Sequence, residues 1–104
     1  MWLIPPMDTP MVQVVENRAD VCGQLSSGRD DPARPGHKLL TLYIESVQPV
    51  ETYPNLLGSL QGTQVEVVIS AEQAAAIAGA TRICCRARRA GPAIVFAEAC
   101  RPAD

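Results

Sequence analysis

Residues 62–98 carry the clearest alternation in the chain. Val65, Val67 and Ile69 alternate with Gln64 and Glu66, which is the period-two signature of a strand with one buried face. Ser70 follows, and Gln73 stands three residues further on, the spacing of a capping box. Ala74, Ala75, Ala76, Ile77 and Ala78 continue a short helix over residues 70–79, and Gly79 is placed to end it in a left-handed conformation. Two more strand-like runs, 81–89 and 93–99, flank Ala90-Gly91-Pro92, which makes the turn of a hairpin.

The first half is less regular. Residues 39–47 form a strand with Leu40, Leu42 and Ile44 on one face and Thr41, Tyr43 and Glu45 on the other. Residues 11–26 predict a long first strand whose phase changes: Val12 and Val14 share one parity, Val21 and Leu25 the other. A bulge or bend near Asn17–Asp20 reconciles them, and Gly23 permits close backbone approach. Residues 26–38 and 48–61 are rich in Gly, Pro, Ser and Asn and predict connections. Residues 1–10 contain Pro5, Pro6 and Pro10 and no periodicity, so they predict an extended arm. Trp2, Leu3 and Ile4 are unusual in a solvated tail. Two readings stay open: the arm docks on the domain or a neighbour, or it is a disordered terminus. The organisation predicted is an arm at 1–10, one barrel-sized domain at 11–100 and a tail at 101–104.

Composition narrows the classes. Apolar residues make up 47% of the 104-residue chain, a globular value. No apolar run approaches the ~20 residues of a membrane-spanning helix. Met1–Met7 lacks a basic start and contains Pro5-Pro6, unlike a signal peptide. The expected compartment is therefore cytoplasmic, with reduced thiols and no disulfide. Cys84 and Cys85 are adjacent and leave opposite faces of a strand, a spacing unlike that of zinc ligands. Cys22, Cys85 and Cys100 are expected as small buried thiols, with no metal and no cofactor. His37 lies in a polar loop, Glu45, Glu51, Glu66 and Glu98 show no pairing in sequence, and no phosphate-cradling glycine loop occurs. No catalytic residue is expected, and the chain is not read as an enzyme.

The order strand–strand–strand–helix–strand–strand resembles small stand-alone OB-fold proteins. In size it is similar to the single-stranded-DNA-binding and primosomal replication proteins among them. The resemblance is architectural, covers residues 11–100, and implies an all-β, five-stranded barrel with one short helix between strands three and four. It also implies a ligand face on strands two and three, flanked by the loops joining strands one to two and four to five.

Arg82, Arg86, Arg88 and Arg89 occur within residues 81–92, which contain no acid. Alternation puts Arg82, Cys84, Arg86 and Arg88 on one side of the strand, spaced roughly 6.6 Å apart, and Ile83, Cys85 and Ala87 on the other. Guanidinium groups at that spacing suit successive phosphates of a single strand. The first loop adds Arg29, Arg34, His37 and Lys38. Lys38, Tyr43, Arg82, Arg86, Arg88 and Arg89 are therefore the candidate nucleic-acid-binding residues, with Tyr43 stacking a base and Tyr53 able to reach in from the strand two–three loop. The same arginines also fit a solvated face that protects a strand edge. The net charge of −2, the scarcity of aromatics, and Glu45 and Glu66 on the presumed face favour a rival. In that reading the barrel is a protein-interaction or homo-oligomerisation module held through Trp2, Leu3 and Ile4.

Overall fold

A computed structural model describes residues 17–50, 53–91 and 94–103. The expected arm, with Trp2, Leu3 and Ile4, and residues 11–16 of the expected first strand lie outside the described residues. The elements are β1 (Ala19–Asp30), β2 (His37–Pro49), β3 (Gln64–Ser70), α1 (Ala71–Ala76), β4 (Arg82–Gly91) and β5 (Ile94–Pro102). The strands close in the order β1-β2-β3-β5-β4, because β1 pairs with β2 on one side and β4 on the other. Among the described residues only the β3–β5 contact is parallel, and it rests on two pairs, Val67↔Val95 and Val68↔Phe96. The chain is an all-β, OB-like five-stranded barrel with a short helix between β3 and β4.

Alternation explains the core. Leu40, Leu42 and Ile44 of β2, Val67 and Ile69 of β3, and Ile83, Cys85 and Ala87 of β4 are all buried in one cluster with Ala19 and Val21 of β1. The connection after β1 is shorter than residues 26–38. Gly28↔Leu40, Arg29↔Leu39 and Asp30↔Lys38 still pair, because a two-stranded ladder needs only backbone groups. The polar run Ser26–Asp30 is thus exposed strand rather than loop.

The expected phase change involves Val12 and Val14, which lie outside the described residues. Within β1, Ala19 and Asp20 pair regularly with both neighbours, and irregularities against β2 fall between Cys22 and Gly23 and between Leu25 and Ser27. A Cβ at Gly23 would collide with the Tyr43 carbonyl oxygen, so the bend depends on a residue without one. Asn17 lies just before β1 and is buried. Its side-chain amide donates to the Arg89 carbonyl at 2.9 Å, and its oxygen accepts from the Arg89 amide at 2.7 Å. Asn17 in effect extends the β1–β4 ladder with a side chain.

Ser70 caps α1, accepting from the Gln73 amide at 3.1 Å. The helix ends at Ala76, and Gly79 (φ 83°) closes the turn after it. The Gln73 side chain does not reach back to complete a capping box. It turns to β5, where its oxygen accepts from the Cys100 amide at 2.6 Å. That amide is freed by a bulge: Arg86 faces Glu98 but Cys84 faces Arg101, so β5 holds one extra residue. Ala99 absorbs the bend with φ 52°, and Cys100 is thereby turned inward beside Cys85. A hydrogen bond to Cys100, and then burial, push the Cys85 thiol up and keep it protonated.

The cysteines require a correction. Cys85 and Cys100 are buried free thiols, but Cys22 is not a core thiol: it is bonded to Cys84 across β1 and β4. Val21 takes the inward position, so Cys22 points outward, directly opposite Cys84 with 4.1 Å between their Cα atoms. The bond overturns the expectation of fully reduced thiols and no disulfide. No helix of the described residues is long and apolar enough to cross a membrane.

Two predictions follow from these contacts. Ile83→Ala or Val67→Ala should lower stability in urea by roughly 2–4 kcal/mol, because each leaves a cavity in a narrow core. Gln73→Ala should cost about 1–3 kcal/mol by orphaning the Cys100 amide. Separately, thiol titration of the unfolded, unreduced protein should count Cys85 and Cys100 alone, and reduction should expose Cys22 and Cys84 as well. Four free thiols before reduction would refute the cross-strand bond.

Candidate nucleic-acid interface

Strand register decides which candidate residues meet. Tyr43 on β2 faces Gln24 on β1, and Gln24 faces Arg82 on β4, so these three form one outward row. Glu45 sits in the β2 bulge beside it and accepts from Gln24 at 3.1 Å and from Arg82 at 2.6 Å. Glu66 on β3 accepts from Arg29 at 2.8 Å. Each acid on the β2–β3 face therefore has an arginine bound to it, and Tyr43 stands among them 45% exposed.

Arg82, Arg86 and Arg88 do share the outward side of β4, and the stripe leads away from Tyr43. Arg86 lies about 13 Å further along the strand than Arg82. It forks onto Asp20 through Nε at 3.1 Å and Nη2 at 3.4 Å. Arg88 faces Phe96 across the β4–β5 hairpin, with its guanidinium carbon 4.9 Å from the ring centroid. Arg34, from the loop after β1, lies over the same ring at 5.1 Å.

Lys38 and Arg89 stand apart from the stripe. Lys38 has the parity of Leu40 and Leu42, so it projects at the barrel end, where its ammonium meets Asp30 at 2.7 Å and holds that carboxyl below the usual carboxylate range. Arg89 has the opposite parity to Arg88, and its guanidinium donates to the carbonyls of Gly91 and Leu56, both at 3.3 Å.

Arg34 is positioned by Asp31, whose side chain is only 2% exposed. Asp31 accepts from the Ala33 amide and from Arg34 Nη1, both at 2.9 Å. The Ala33 amide foremost, and Arg34 with it, hold the Asp31 carboxyl below the usual carboxylate value against the opposing effect of burial.

Phe96 is therefore the organising residue that the sequence alone did not single out. Beside it, where β3 and β5 part, a cleft of about 280 Å³ is lined by Arg18, His37, Gln73, Arg86, Arg88 and Glu98. A second depression, about 490 Å³, shares Arg18, Arg86 and Glu98 with the first and reaches Tyr53. Arg18 pairs with Glu98 at 3.2 Å and lies 5.1 Å from the Tyr53 ring centroid. The result is one trough over β4 and β5, with an arginine-covered aromatic ring near each end. The exposed ion pairs within it are worth about 0–1 kcal/mol each, so an incoming anion can exchange with their carboxylates. No set of three or more His, Cys, Asp or Glu among the described residues is grouped to hold a metal ion. Comparisons with protein-family models, with characterised proteins and with solved structures found no match for this chain.

Proposed function

We propose that this barrel binds single-stranded nucleic acid along the trough over β4 and β5. The observation that carries the reading is the pair of guanidinium groups, from Arg34 and Arg88, over Phe96 at the head of a cationic cleft. Phosphates would meet Arg88, Arg86 and Arg18, and Tyr53 supplies an aromatic face at the far end. Arg82, at the far end of β4, and Tyr43, across β1 from it, would serve a strand that continues around the barrel. Binding would depend on local charge, because the chain as a whole carries −2.

Arg88→Ala and Arg86→Ala should weaken binding of unrelated labelled oligonucleotides by similar factors. Each should reduce the salt slope by about 0.7, the value for one released contact on a single strand. Tyr53→Ala or Tyr43→Ala should cost about 1–3 kcal/mol where the ring stacks a base, with little change in slope. No binding by the wild-type protein at about 50 mM salt would reject the reading.

A second reading, a protein-interaction or oligomerisation module, is favoured by Leu56 and Ile94, which are 41% and 37% exposed. It predicts that deleting residues 1–7, which removes Trp2, Leu3 and Ile4, lowers the mass measured by light scattering. An unchanged mass would count against the arm as the contact.

A further inference from the structure

We infer that the cleft beside Phe96 is a site for a phosphomonoester, the terminal phosphate of the strand whose binding is proposed above, and the inference rests on that reading. The guanidinium carbons of Arg34 and Arg88 lie 5.1 and 4.9 Å from one ring centroid, so they are no more than 10.0 Å apart. Arg88 also lines the cleft together with Arg86 and Arg18, so an anion there meets three guanidinium groups. Arg34 spends only Nη1 on Asp31, which leaves the rest of its fork of donors. Arg88 has no carboxylate partner among the described residues.

The other polar groups of the cleft suit a phosphate with three terminal oxygens. Gln73 has its oxygen committed to the Cys100 amide, so its amide nitrogen is the group left to donate. His37 Nδ1 donates to the Pro35 carbonyl at 3.1 Å, so its Nε2 is a donor to a phosphate in the imidazolium form. A phosphomonoester carries about two negative charges near neutral pH, against one for an internal phosphodiester. The shape points the same way. The cleft is lined by Ser70 and Gln73 on the α1 side and shares Arg18, Arg86 and Glu98 with the depression that reaches Tyr53. A strand lying in that depression would bring its end to the α1 side of the cleft.

Fluorescence anisotropy decides the matter with one thymidine oligonucleotide in three forms: 5′-phosphorylated, 3′-phosphorylated and unphosphorylated, each labelled away from the phosphate. One phosphorylated form should bind about tenfold more tightly than the unphosphorylated strand, as expected for charge-assisted hydrogen bonds to a phosphate, and which form does so identifies the terminus. Arg88→Ala should abolish that difference, whereas Arg82→Ala should keep it. Inorganic phosphate should erode the difference and should shift the Phe96 ring resonances in a nuclear magnetic resonance titration. Equal affinity for all three forms would overturn the terminal-phosphate site while leaving strand binding in place. A difference that survives in a folded Arg88→Ala protein would overturn the assignment to this cleft. Should Arg88→Ala fail to fold, the wild-type comparison and the Phe96 titration still decide. Perturbation of Phe96 by inorganic phosphate with no oligonucleotide bound in any form would reject the strand reading and leave an anion site.

Discussion

The structure depends on β1 pairing with two strands at once. Barrel closure requires one strand to bend far enough to complete ladders with both β2 and β4, and β1 does so at Gly23, where the Tyr43 carbonyl lies too close for any side chain. Everything outside the core inherits its position from that bend. It puts Gln24 between Tyr43 and Arg82, sets Cys22 against Cys84, and brings Asp20 within reach of Arg86. Asn17 and the disulfide hold the same seam from two points, one by backbone mimicry and one by a covalent bond.

Charge on this surface is organised by strand register rather than by composition. The chain carries slightly more acid than base, yet the acids are not spread evenly against the arginines. Those on the β2–β3 face are matched to Arg82 and Arg29. Across β4 and β5, Arg18 and Arg86 pair with Glu98 and Asp20, while Arg88 is borne on the Phe96 ring, which holds a guanidinium without cancelling its charge. An electrically balanced face and a cationic trough thus coexist on a small barrel with an acidic total.

Much of this was legible in the sequence where periodicity speaks directly. The inward faces of β2, β3 and β4, the Ser70 cap, the Gly79 turn and the outward side of Arg82, Arg86 and Arg88 all follow from spacing. The Arg88–Phe96 contact was latent there too: Arg88 and Phe96, like Arg86 and Glu98, are equidistant in sequence from position 92, within the expected turn. What periodicity could not supply were relations between distant strands. The Cys22–Cys84 bond needs the β1–β4 register, which joins residues separated by 62 positions. The inward turn of Cys100 needs a bulge at Ala99, an alanine whose positive φ no sequence rule favours. The polar end of β1 looked like loop because its strand character comes from ladder hydrogen bonds alone.

The parallel β3–β5 contact, with its two residue pairs, is the shortest seam of the barrel, and the cleft opens where it gives way. Groups on the two sides of that gap belong to separate parts of the chain: His37 and Arg34 precede β3, while Arg88 and Phe96 come from the β4–β5 hairpin. A ligand held by both sides stitches the seam, and by thermodynamic linkage its binding energy adds to the free energy of opening there. Amide hydrogen exchange along Val95 and Phe96 is then a gauge of occupancy: the weakest joint of the barrel becomes its most ligand-sensitive reporter.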